Sequence, residues 1–279
     1  MKTAYLNGEH LPLAQASVPV LDRGFLFADA VYEVIPVYAG KAFLLDEHLQ
    51  RLNHSLAGIR LANPHSDEQW RSLLNALIQA NGGGDMSVYL QVTRGAAAKR
   101  DHRLPENPSP NVIAFCQVRS APDPRIFSEG VAVISMQDTR WTHCQYKSTS
   151  LLANILASDD AFNAGAAEAV MLRDGLVMEG ASSNIFAVVD GVIQTPQLRP
   201  EILPGITRSL LLKLTAQAGI NCQETEITSA QLETAQEIWL TSSTREIFPV
   251  TRLDKQAVGD GKPGPLWAQM RQLIQKSYS

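Results

Sequence analysis

Apolar residues recur along this chain with two different periods. Leu49, Leu52, Leu56 and Ile59 follow one another at three- and four-residue steps, which puts them on one face of a helix with Asp46 as its N-cap. Trp70, Leu73, Leu74, Leu77 and Ile78 repeat the pattern behind Ser66 and Gln69, which form a capping box, and Gly82-Gly83-Gly84 ends that helix. Helices are also expected over residues 151–165, 206–219, 229–235 and 265–276. Short apolar and β-branched runs at 86–93, 112–118, 131–136 and 237–241 read as strands. Residues 31–38 read as another strand, which turns at Ala39-Gly40 and returns over 42–45; Pro36 gives it an edge or irregular position. Asn7-Gly8, Asp174-Gly175 and Asp190-Gly191 mark three hairpin turns.

Charge and apolarity both drop at Ser120-Ala121-Pro122-Asp123-Pro124. That break sets a linker at 120–126 between a small N-terminal α/β domain, 1–119, and a larger C-terminal domain, 127–279. The expected fold class is α/β (α+β) with two lobes, and the interdomain cleft is the expected seat of a cofactor.

Composition narrows the function classes. Of 279 residues, 45% are hydrophobic and 19% charged, the profile of a globular protein. A net charge of -4 argues against nucleic acid or an anionic membrane as main partner. No run is long and apolar enough to span a bilayer, and Met1-Lys2-Thr3-Ala4-Tyr5 lacks the apolar core of a signal peptide, so a cytoplasmic location is expected. Cys116, Cys144 and Cys222 are odd in number and widely spaced, and the six histidines form no helical ligand pair, so neither a disulfide framework nor a metal site is expected. Gly259-Asp260-Gly261-Lys262 resembles a phosphate loop, but its spacing is wrong and Pro263 follows; Gly-x-Ser-x-Gly is absent from the sequence.

Three segments carry chemistry when read in order. Lys147 lies in Arg140-Trp141-Thr142-His143-Cys144-Gln145-Tyr146-Lys147-Ser148; Glu179 opens Glu179-Gly180-Ala181-Ser182-Ser183-Asn184; and Leu203-Pro204-Gly205-Ile206-Thr207-Arg208 starts a helix. Alone, each has a bland reading: a solvated lysine, a hairpin-rim carboxylate, an ordinary helix start. Together they suit pyridoxal 5'-phosphate (PLP). The lysine would form a Schiff base, the carboxylate would keep a pyridine nitrogen protonated, and the first-turn N–H groups with the Thr207 hydroxyl would hold a phosphate. Ser243 and Thr244, after a strand, could add phosphate contacts, although such clusters are usually turns. Arg51 lies off the main apolar stripe of its helix, either on a solvated face or as a bidentate phosphate ligand. The basic stretch Arg94-Gly95-Ala96-Ala97-Ala98-Lys99-Arg100-Asp101-His102-Arg103 is a mobile loop or a carboxylate trap.

These segments, together with Asp22-Arg23-Gly24-Phe25-Leu26-Phe27-Ala28-Asp29 and Glu47-His48-Leu49-Gln50-Arg51-Leu52, resemble the fold-type IV PLP enzymes over essentially the whole chain. Val31-Tyr32-Glu33-Val34 and Arg100-Asp101-His102 are most similar to the members acting on D-amino acids. Pro36 and Tyr146 depart from that pattern, in which lysine and an aliphatic residue are common.

The resemblance implies that Tyr32, Arg100 and His102 bind the substrate carboxylate, the last two from the neighbouring subunit of a homodimer. It also implies that Leu203 packs on the cofactor ring and that Ser182 tunes its hydrogen bonding. The expected activity is ping-pong transamination between D-amino acids such as D-alanine and 2-oxo acids, 2-oxoglutarate or pyruvate. The alternatives are a branched-chain L-amino acid or R-amine transaminase, an aminodeoxychorismate lyase, and a non-catalytic PLP carrier.

Overall fold

The computed structural model describes residues 2–277; Met1, Tyr278 and Ser279, the ends of the two expected domains, lie outside the described residues. The chain divides into two compact units. One runs through Ser120 and takes in Tyr146–Ser150; the other comprises Ala121–Gln145 and the chain from Leu151 onward.

The first unit is built from β1 (Thr3–Leu6), β2 (Glu9–Pro12), α1 (Arg23–Phe27), β3 (Ala30–Tyr38), β4 (Lys41–Ala42), α2 (Leu45–Gly58), α3 (Asp67–Ala80), β5 (Met86–Thr93) and β6 (Asn111–Val118). Its strands form one antiparallel sheet in the order β2-β1-β6-β5-β3-β4. Alternate residues such as Val31, Ile35, Val88 and Leu90 point to one face, where they pack with Leu49, Leu52, Trp70 and Leu74 of the two long helices. The Asn7-Gly8 turn has positive φ at both residues (48° and 103°), the backbone that a tight hairpin requires. The Ser66/Gln69 capping box is present in α3.

Two expectations differ here. The returning strand is only Lys41–Ala42, and α2 opens at Leu45 with Leu44, at φ 51°, as its N-cap. Asp46 is not the cap; it lies in the first turn, where its charge faces the positive end of the helix dipole. Pro36 occupies a stretch of β3 that pairs with β5 only, because β4 reaches no farther than Val37 and Tyr38.

The second unit contains α4 (Arg125–Glu129), β7 (Val131–Gln137), α5 (Leu152–Asn163), β8 (Glu168–Arg173), β9 (Leu176–Gly180), β10 (Asn184–Val189), β11 (Val192–Pro196), α6 (Ile206–Ala218), β12 (Cys222–Thr225), α7 (Ser229–Glu233), β13 (Glu237–Ser242), β14 (Glu246–Leu253), β15 (Gln256–Ala257) and α8 (Pro265–Lys276). Nine strands form a mixed sheet, β12-β11-β10-β13-β14-β7-β8-β9, with β15 on β14. The sheet is buried on both faces: Ile185 and Ala187 of β10 enter one apolar cluster, Phe186 the other, with Trp239, Trp267 and Met270. Arg125 and Ile126, the last residues of the expected linker, already belong to α4.

Candidate active site

In the first unit the Lys147 segment lies along the outer edge of β3. Tyr32 N–H donates to the Lys147 carbonyl (2.9 Å), Thr149 N–H donates to the Ala30 carbonyl (3.1 Å), and Val31 bridges Ser148. The Lys147 N–H in turn donates to Ser55 Oγ of α2 at 3.0 Å. Backbone bonds to a strand and a helix therefore fix the root of the lysine. Its Nζ lies 4.2 Å from the centroid of the Tyr32 ring, within cation–π range, so two of the expected site residues meet. Tyr146 is accommodated by Gly58: a Cβ there would come within 2.2 Å of the tyrosine ring.

The same face of α2 carries His48 and Arg51, and both reach Glu33 of β3, which is fully buried. Arg51 donates through Nε to Oε1 (2.8 Å) and through one terminal nitrogen to Oε2 (2.7 Å). His48 Nδ1 lies 2.7 Å from Oε2. Burial alone would raise the Glu33 carboxyl, but the Arg51 charge and these hydrogen bonds bring it down to about 2, so it is a carboxylate. Burial keeps the His48 imidazole below its ordinary value, so it is neutral and donates from Nδ1. Its Nε2 is buried with no hydrogen-bond partner among the described residues. Arg51 is thus no solvated arginine: it is buried, in a two-point pair with a carboxylate. Glu33 and His48 were missed as site residues, because only the β3–α2 packing brings them together.

Arg100 and His102, two of the three residues expected to bind a substrate carboxylate, are exposed and share one support. The Arg100 guanidinium and the His102 ring both lie on Phe27, at 5.0 and 5.3 Å between centres. Arg23 holds the loop from beneath, donating to the carbonyls of Asp101 (2.5 Å) and Arg103 (3.3 Å). Arg94, grouped with this loop on sequence, is instead buried. It is paired with Asp29 at 2.8 Å and bonded to the carbonyls of Ile59 and Arg60.

In the second unit Glu179 is the penultimate residue of β9 and is buried. Its Oε1 pairs with Arg140; its Oε2 accepts from Leu203 N–H (3.0 Å) and from Asn184 Nδ2 (3.2 Å). Asp138 grips the other side of Arg140 at 2.9–3.0 Å. Burial works against the Arg140 charge, yet the carboxylates of Glu179 and Asp138 raise its pKa overall, so the pair is ionised.

Asn184 links this carboxylate to the start of α6: it also donates to the Leu203 carbonyl (2.9 Å), and a Cβ on Gly205 would fall 1.9 Å from its Oδ1. No side chain caps α6, so the backbone N–H groups of Ile206 and Thr207 have no acceptor within the helix or from a cap. Ser182 is held by the buried Glu168 through its N–H (2.6 Å) and hydroxyl (3.1 Å), and Arg245 completes that ion pair. Ser243 and Thr244 lie in the turn between β13 and β14. Thr241 pairs with Asn184, so that turn lies at the same end of the sheet as Asn184. Arg140, Asn184 and Glu168 were also missed; proximity to Glu179 and Ser182 is long-range and leaves no local pattern.

Within each unit the residues suit PLP chemistry: in the first, a lysine that matches an aldehyde; in the second, a buried carboxylate and an uncapped helix start that match a ring N–H and a phosphate. Residues 30–253 match the model of amino-transferase class IV. The chain belongs to this family. The chain is an aminotransferase, and curated relatives match it over nearly their whole length. It is 39% identical over 271 residues to a D-alanine aminotransferase of Bacillus licheniformis, covering 97% of this chain and 95% of the relative. It is 36% identical over 277 residues to one from Staphylococcus epidermidis, covering 99% and 98%. Among class IV aminotransferase structures, a branched-chain amino acid aminotransferase from Escherichia coli superposes with a TM-score of 0.91 at 25% identity, covering 99% of this chain and 94% of that one. A branched-chain enzyme from Thermoproteus uzoniensis, solved with norvaline, gives 0.88 at 26%, covering 99% and 94%. A third branched-chain enzyme, complexed with N-(5'-phosphopyridoxyl)-L-glutamate, gives 0.89 at 26% with the same coverage. No helix among the described residues is long and apolar enough to cross a membrane.

Proposed function

We propose that this aminotransferase uses PLP to exchange amino groups between D-amino acids such as D-alanine and 2-oxo acids, 2-oxoglutarate or pyruvate, in a ping-pong cycle. One observation carries the reading: likeness to D-alanine aminotransferases at 39% identity extends over 97% of the chain. When bound, PLP supplies an aldehyde that takes up the amino group and a ring that acidifies the substrate Cα–H.

The chain's own residues do the rest. Lys147 holds the cofactor through Nζ, and once released it takes the Cα proton and later returns it. The Tyr32 ring beneath Nζ favours the lysine's cationic form at the moment it carries that proton. Glu179, kept ionised by Arg140, holds a proton on the ring nitrogen. The Ile206 and Thr207 N–H groups, the Thr207 hydroxyl, Arg51, Ser243 and Thr244 hold the phosphate; Leu203 and Ser182 flank the ring. Tyr32, Arg100 and His102 bind the substrate carboxylate, the last two from the second subunit of a homodimer.

The test mixes holoenzyme, without oxo acid, separately with D-alanine and L-leucine, and follows the cofactor absorbance. Bleaching by D-alanine alone is expected. Bleaching by L-leucine alone would move the enzyme to the branched-chain reading that the structural neighbours offer. In the same assay, Lys147→Ala should abolish the response. Arg100→Ala should raise KM for D-alanine about tenfold, as loss of a charge-assisted contact does; an unchanged KM places the carboxylate elsewhere.

A further inference from the structure

Glu33 stands between the two elements that hold the lysine. Strand β3 supplies the Tyr32 N–H that bonds the Lys147 carbonyl, and helix α2 supplies the Ser55 hydroxyl that accepts from the Lys147 N–H. Glu33 is the neighbour of Tyr32 on β3, facing the opposite way. Its carboxylate meets His48 and Arg51, which share one face of α2 with Ser55. A buried ion pair is a weak source of stability, because desolvation offsets most of its attraction; what it does supply is fixed geometry. Here the geometry is over-determined. Two arginine nitrogens engage both carboxylate oxygens at 2.7–2.8 Å, and His48 Nδ1 takes a second lone pair of Oε2, so the carboxylate plane cannot turn. The guanidinium is planar, so this fixes the plane in which Arg51 presents its donors.

We infer that Glu33 is a positioning residue of the active site: it pins β3 to α2 by holding the Nε edge of Arg51, and so sets both the direction in which the rest of that guanidinium faces an anionic group and the seat of Lys147. The inference rests on the reading in which Arg51 holds the cofactor phosphate. Glu33 also withdraws net charge from Arg51, an effect that by itself would weaken anion binding. The two roles therefore predict opposite outcomes when Glu33 is altered. Pre-organisation of the fork outweighs the lost charge, because a freed arginine side chain must give up its rotamer freedom on every binding event.

The experiment measures binding of inorganic phosphate and of PLP to the full-length chain, by calorimetry and equilibrium dialysis, for four variants. Glu33→Asp keeps the charge but is too short for the two-point fit; Glu33→Gln keeps the shape and loses the charge. Both should weaken phosphate about tenfold, and PLP by more, because PLP also reports the seat of Lys147. Arg51→Lys keeps the charge without the fork and should match Glu33→Asp, which covers the case that the Glu33 variants do not fold. Arg51→Ala should weaken phosphate at least as much. Wild-type phosphate affinity in Glu33→Asp or Arg51→Lys, with Arg51→Ala weak, overturns the inference and leaves the Arg51 reading standing. Tighter phosphate binding in Glu33→Gln also overturns it, by making charge withdrawal the dominant role. Wild-type affinity in Arg51→Ala removes the Arg51 reading itself.

Discussion

Glu33 in the first unit and Glu179 in the second are each buried against an arginine, and the two pairs differ in what surrounds them. Glu33 is enclosed by side chains of one helix: Arg51 and His48 of α2 engage both of its oxygens. Glu179 pairs with Arg140, while its other oxygen accepts from a backbone N–H and an asparagine at the end of a sheet. Glu179 alone of the two is followed in sequence by Gly180 and Ala181, small enough to let a flat ring approach the backbone in the proposed site. The lesson is that a buried ion pair does not mark a reacting group. In the proposed site, the company of small residues and uncapped helix donors does.

The comparison can be broken most directly at Glu179. Glu179→Gln should lower kcat about 10²–10³-fold, the size of effect expected for a preorganised charge, with Tm little changed; a large fall in Tm with kcat preserved would make Glu179 a structural group. Acid should act on the other pair. Glu33 is held from its ordinary 4.5 down to about 2, so the stability it contributes is complete above pH 4.5 and is lost as pH falls toward 2, on the order of 3 kcal/mol. His48, held below its ordinary 6.5, adds a loss in the same direction that begins under pH 6.5. Urea unfolding from about pH 7 to about pH 3 measures both, and His48→Gln should remove the upper part of the fall; a flat profile would refute the pairing. The smallest change is Gly205→Ala. The new methyl would displace Asn184, whose bonds to Glu179 and Leu203 would break, at a cost of about 1–3 kcal/mol in stability and weaker PLP binding. An unchanged melting curve and PLP affinity would show that Asn184 can swing aside freely.

The sequence displayed whatever is local. Asn7-Gly8, Asp174-Gly175 and Asp190-Gly191 all form turns with positive φ, and the Ser66 capping box forms as its spacing predicts. Strand β14 went unread because Pro249 sits in its middle, paired with Trp239, and because burial on both faces removes the alternation that marks a strand. The reading of Asp46 as a cap failed because Leu44 in a left-handed conformation starts α2 instead. At the candidate site, Lys147, Glu179 and Gly205 stood out by the chemistry of their neighbours in sequence. Glu33, His48, Arg140 and Glu168 did not, since each earns its place by contact with a residue 14 to 77 positions away.

The pairing of residues 147–149 with the edge of β3 also orders events in time. Val31 and Ser148 are more than a hundred residues apart in sequence, and β6, the last strand of the first sheet, ends at Val118, so during synthesis that sheet emerges, with β3 open on one side, before its lysine does. A bare strand edge is where a nascent chain adheres to others, and closing so long a loop is slow. The segment that seals this edge is the one that carries Lys147. Arrival of the reactive amine and protection of the growing protein are thus a single step of assembly.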